Sequence, residues 1–152
     1  MEGKCTCGQI RYRLTQPPLF VHACHCTWCQ RETGSAFALN AMIETEFLHI
    51  TGTPQETLTP SNSGQGQIII RCPNCHVALY SHYGARRTAA FVRVGTLDHP
   101  AQCPPDIHIF TSTKQPWLVL DGRLPVMAEY YDRNLYWPAA SLGRGAVLRS
   151  KG

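Results

Sequence analysis

The stretch ACHCTWCQRETG, residues 23–34, decides how this chain is read. It sets Cys24, Cys26 and Cys29 within six positions. Three sulfurs in so short a run look like most of a metal site, but a closed structural zinc site takes four donors. A cysteine from elsewhere, the intervening His25, or no protein group at all compete for the fourth place. Beyond Cys26 the run TWCQRET reads as one short helical turn, with Gly34 as its stop.

Outward from this triplet, the remaining cysteines fall as C-x-C (Cys5, Cys7), as C-x-x-C (Cys72, Cys75), and as Cys103 alone. RCPNCH, residues 71–76, is a good metal hook: it follows the strand-like QIIIR, and Pro73 and Asn74 supply turn chemistry. An extended C-x-C puts both side chains on one face, so Cys5 and Cys7 can share an ion. The seven clustered cysteines then divide as four (Cys5, Cys7, Cys72, Cys75) and three (Cys24, Cys26, Cys29). Spacing leaves another pairing open, in which Cys72 and Cys75 join two of the triplet. Cys103 reads as a spare thiol.

At 152 residues the chain suits one domain with a real core. No apolar run approaches the ~20 residues of a membrane span. The opening MEGKCTCGQIRYR lacks the apolar core of a secretory signal. A cytoplasmic location is therefore expected, where eight cysteines stay reduced and bind metal rather than form disulfides.

The formal charge of +4 comes mostly from one end. Past residue 138 stand Arg144, Arg149 and Lys151 with no acid, and without them the body holds 11 basic against 10 acidic residues. Two thiolate-bound zinc ions, one with four sulfurs and one with three, would carry that body to about −2. Such a balance argues against a nucleic-acid partner.

Elsewhere the pattern is of short strands. QIRYRL alternates Ile10, Tyr12 and Leu14 with polar residues. LFVHAC, SAFALNAMI, GQIIIRC, VALYS, AAFVRVG and DIHIFT are β-branched or aromatic runs bounded by Gly, Pro, Ser or Asn. PSNSGQG, residues 60–66, is the most loop-like interior segment, and no three-turn helix shows an apolar stripe. The fold class expected is all-β, or β-rich, with short helical turns: one domain over 1–138 and a flexible tail over 139–152.

Five segments in order resemble the glutathione-dependent formaldehyde-activating enzyme (Gfa-like) family of zinc proteins. CTCGQIRY is similar to its opening C-x-C-G strand, CHCTWCQRETGSAF to its C-H-C-x-x-C segment, and RCPNCHVALY to its second hook. VRVGTLD and HIFTSTKQPW are similar to two further signatures, so the likeness spans residues 4 to about 128. It implies an Mss4-like zinc-binding β fold. It also implies a structural zinc on Cys5, Cys7, Cys72 and Cys75 and a catalytic zinc on Cys24, Cys26 and Cys29. One departure stands out: His76 occupies a position where the family usually has Gly.

Three protein ligands with an open fourth position is the arrangement of a catalytic zinc. Three thiolates make that ion a weaker Lewis acid than three imidazoles would, suited to a soft ligand rather than to water. The expected function is a zinc-dependent carbon–sulfur lyase acting on a glutathione-like thiol adduct of a small carbonyl compound. The alternative is a non-catalytic zinc-binding interaction module of the same fold. Around the ligands, His25 and His76 are expected to point away from metal, His108 and Lys114 to be structural, and Trp117 to be core. Arg86 and Arg87 fit a solvated loop pair better than a clamp for substrate carboxylates.

Overall fold

Short runs of β-branched and aromatic residues, broken every few positions by turn formers, favour pleated sheet over helix. The structure, a computed structural model, describes residues 1–150, except the side chain of Arg149. Its strands are β1 Glu2–Lys4, β2 Arg11–Leu14, β3 Phe20–Cys24, β4 Ala38–Glu44, β5 Leu48–Thr51, β6 Gln55–Thr59, β7 Gln67–Arg71, β8 Ala78–Tyr83, β9 Ala89–Arg93 and β10 Ile107–Ile109. The α-helices are α1 Thr27–Thr33, α2 Arg133–Tyr136 and α3 Ala139–Ser150. The β-rich class expected from the sequence is the one observed. Strands β1, β5 and β6 were not expected, because EGK, LHIT and QETLT lack a continuous apolar face.

Two sheets form, ordered β1-β2-β5 and β10-β3-β4-β9-β8-β7-β6. Pairing is antiparallel throughout, except that β10 runs parallel to β3. The period-two alternation of β4 shows how the large sheet is covered on both faces. Ala41 and Ile43 join Tyr12, Leu14 and Leu48 of the small sheet in one core. Ala38 and Met42 join Phe20, Cys24, Ile109, Tyr131 and Trp137 in a second core on the opposite face. The triplet therefore lies on the face closed by the C-terminal segment.

That segment corrects the expectation of a flexible tail. Over its described part, residues 139–150, it is the helix α3; Lys151 and Gly152 lie outside the described residues. Propensity gave no sign of it, since Gly143 and Gly145 weaken the run. Tertiary anchors hold it instead. Arg144 binds the buried Glu44 carboxylate through Nε at 2.8 Å and Nη2 at 2.6 Å, and Leu148 is buried. Gly145 is required by close approach: a Cβ there would sit 2.9 Å from the Trp137 ring. No helix among the described residues is long and apolar enough to cross a membrane.

Candidate metal and active site

The first cysteine hook is a hairpin turn, not an extended segment. Cys5 ends the approach from β1, and its backbone N–H donates to Ile10 O at 3.0 Å while Gly8 N–H donates back to Cys5 O at 3.0 Å. The second hook closes the β7–β8 connection, with Cys72 N–H donating to Val77 O and His76 N–H to Cys72 O, each at 3.0 Å. The fold brings these two turns together. The ligand atoms of Cys5, Cys7, Cys72 and Cys75 all lie within 4.8 Å of one another, with Cys5–Cys7 at 3.5 Å and Cys7–Cys72 at 3.6 Å. Hydrogen bonds from the Asn74 side chain and the Gln9 backbone hold the Cys7 thiol down at about 6.

Cys24, Cys26 and Cys29 form a separate group, also within 4.8 Å of one another and all buried. Each comes from a different local device. Cys24 ends β3, in register with Ala38 of β4 and Ile109 of β10. Cys26 is the N-cap of α1, its Sγ accepting from Cys29 N–H at 3.3 Å. Cys29 is the third residue of that helix, which ends as expected at Gly34 in the left-handed region (φ 64°). Hydrogen bonds from the Cys24 and Cys29 thiols hold Cys26 down to about 3, and the same pairing pushes Cys24 up.

The arc between Cys24 and Cys26 is clamped from outside. His25 N–H donates to Ile109 O at 2.9 Å, and His25 O accepts from Gln30 Nε2 at 2.6 Å and Thr113 Oγ1 at 3.1 Å. The His25 ring is fully buried and turned away from the sulfurs, with Nε2 2.9 Å from His108 Nδ1. Lys114 Nζ donates to the Gln115 and Leu118 carbonyls, which stiffens the following loop. Next to this loop Phe110 packs against the trio's core in the left-handed region (φ 55°), which is rare for a bulky residue.

Other expected residues lie elsewhere. His76 is exposed and belongs to neither group, and Cys103 lies beside Met1 Sδ at 3.5 Å. Arg87 is committed to Glu56 on the surface, and Arg86 is exposed. Trp117 is not core: it is 69% exposed, because residues 115–122 run over the surface outside any strand or helix.

A buried polar row beside the trio was missed from sequence. His22, Asn40 and Arg93 stand in register across β3, β4 and β9, with Ser81 of β8 behind them, and all four are buried. The signal was a polar residue inside an apolar strand run, as in ALNAMIE and AAFVRVG. A cavity of about 480 Å³ adjoins this row, bordered by Glu32 and Thr33 of α1, Arg71, Cys75, His76 and Arg93.

Both cysteine groups can hold a metal ion. They offer only sulfur, and sulfurs about 2.3 Å from a tetrahedral ion lie about 3.8 Å apart, close to the 3.5 and 3.6 Å separations in the first group. All eight cysteines are free thiols. Fold and site together define a two-sheet β protein with one four-cysteine and one three-cysteine centre for a thiophilic ion. Residues 1–113 match the family model described as glutathione-dependent formaldehyde-activating enzyme, and the chain belongs to that family of glutathione-related enzymes. It is similar to a Halomonas elongata protein provisionally named for that activity, at 22% identity over 130 residues, covering 81% of this chain and 82% of the relative. Its fold is similar to that of a Rhodobacter sphaeroides protein of known crystal structure, with TM-score 0.51 and 18% identity, covering 83% of this chain and 99% of the other.

Proposed function

We propose that this protein is a zinc-dependent carbon–sulfur lyase-type enzyme that makes or breaks the adduct between a glutathione-like thiol and a small carbonyl compound. One observation carries the reading: the trio is buried, all sulfur, and joined by no fourth Cys, His, Asp or Glu ligand atom among the described residues. Cys24, Cys26 and Cys29 would hold the catalytic zinc, and Cys5, Cys7, Cys72 and Cys75 the structural one. Zinc bound by the trio would supply a thiophilic Lewis acid at which a substrate thiol is held as its thiolate.

The chain's own groups prepare that place. The hydrogen bonds on His25 O fix the arc between two ligands, and the Cys26 cap fixes the third ligand's helix. Burial of the three cysteines keeps bulk water from competing with the substrate sulfur. The rest of a peptide-sized thiol is assigned to the cavity beside α1, which is lined by Ala38, the strand partner of Cys24, though by none of the three sulfurs. Eight free thiols suit a reducing compartment such as the cytoplasm.

Cobalt-substituted protein titrated with glutathione tests the reading. Stronger thiolate-to-metal absorption with proton release is expected, and the serine analogue of glutathione should leave the spectrum unchanged. Exchange between glutathione and its adduct with a small aldehyde, followed by NMR, should accelerate with the zinc protein and not with Cys26→Ser. A cobalt spectrum indifferent to saturating thiol would reject the enzyme and favour a non-catalytic zinc-binding module.

A further inference from the structure

We propose that Arg93 is the internal countercharge of the Cys24–Cys26–Cys29 centre, a positioning residue that holds the metal-loaded trio in its anionic form. The inference rests on the trio being a zinc site, as argued above.

Arg93, the last residue of β9, is 7% exposed and permanently charged. Its hydrogen bonds go to neutral groups: Nη1 donates to Asn40 Oδ1, and Nη2 donates to Ser81 Oγ at 3.0 Å. Its Nε is buried with no partner. Among the described residues no carboxylate lies within 4 Å of it, and the one acid that shares its cavity, Glu32, is taken by Arg71. A buried, unpaired guanidinium is strongly unfavourable, so a fold that keeps one must offset it by other means.

The sheet register shows where the offset lies. Arg93 stands opposite Asn40, and two residues along the same strand Ala38 stands opposite Cys24. A two-residue step keeps the same sheet face, so Arg93 and Cys24 share it. Three thiolates and one divalent ion sum to −1, which Arg93 brings to zero. The four-cysteine centre needs no such partner, because Cys7 is exposed and water can solvate its charge.

Competitive chelator titration of the full chain, with zinc release read for both centres, tests the proposal. Arg93→Gln keeps a polar group near Asn40 and Ser81 but removes the charge. It should weaken zinc at the trio by about 10–100-fold, the range typical for groups just outside the ligands, and leave the four-cysteine centre unchanged. Arg93→Lys keeps the charge and should stay within about threefold of wild type. Asn40→Asp supplies a carboxylate partner for Arg93 and should weaken the trio as Arg93→Gln does, which keeps the test decisive if Arg93→Gln does not fold. Wild-type zinc affinity in Arg93→Gln or Asn40→Asp overturns the proposal. So does an Arg93→Lys protein as weak as Arg93→Gln, since hydrogen bonding rather than charge would then matter. A wild-type chain that binds zinc only at the four-cysteine centre is a different failure, that of the zinc reading itself.

Discussion

The backbone N–H of Cys29 donates to Cys26 Sγ at 3.3 Å, so one candidate ligand caps the helix that presents another. Serine is a better N-cap than cysteine but a harder, weaker ligand for zinc. Cys26→Ser should therefore keep α1 and the fold while losing one of two zinc ions and the thiol response. Cys72→Ser should instead collapse thermal stability, because a metal ion held there would join two turns distant in sequence and couple its binding to folding. Metal analysis together with thermal unfolding of both variants checks this contrast. Equal destabilisation by both would make the trio structural.

Arg144 and Glu44 tie α3 to the large sheet across a hundred residues of chain. Glu44 is buried, and Arg144 also donates to Pro17 O at 3.0 Å. Arg144→Ala leaves a buried carboxylate without its cation, at an expected cost of about 2–3 kcal/mol. For a chain of this size that lowers Tm by about 5–10 °C. A loss under 1 °C would show that α3 docks without this pair.

His76 holds φ at 59°, in the left-handed region that favours glycine. Its side chain is exposed, and its hydrogen bonds run through the backbone: N–H to Cys72 O, and O from Arg71 Nη1 at 3.1 Å. His76→Gly therefore removes strain without removing a contact. Relief of about 1–2 kcal/mol, less glycine's greater freedom when unfolded, leaves a gain of about 0.5–1 kcal/mol. Thermal unfolding should show a Tm about 1–4 °C higher, and an unchanged or lower Tm would contradict the strain.

His82 is buried on β8, with Nδ1 donating to Ala89 O at 2.7 Å. Burial pushes its pKa below the usual histidine value, and Arg87 adds to this while Glu56 opposes it. The unfolded chain then binds more protons than the folded one below about pH 6.5, so this residue's contribution to stability falls as the pH drops from there. His82→Asn preserves a donor toward Ala89 O but does not titrate. With zinc in excess, its Tm should fall less between pH 7 and pH 5 than that of wild type. Parallel Tm–pH curves would rule out His82 as a source of the slope.

Local chemistry in the sequence was enough for the β-rich class, most strand runs, the helical turn that ends at Gly34, and the recognition of the clustered cysteines as metal-ligand hooks. Period-two alternation, turn residues and sulfur spacing are properties of neighbours in the chain, so they can be read from it. Tertiary structure alone decided what depends on distant groups meeting. It chose Cys5 and Cys7 as companions of Cys72 and Cys75, from a pairing that spacing had left open. It placed Arg93 beside Asn40 and Ser81, where an interior arginine would otherwise read as a strand's solvent face. It also made a helix of residues 139–150, whose weak propensity is overcome by Glu44, more than 90 residues upstream. Contacts between groups so far apart in sequence leave no local pattern, because their energy exists only once the chain has closed around them.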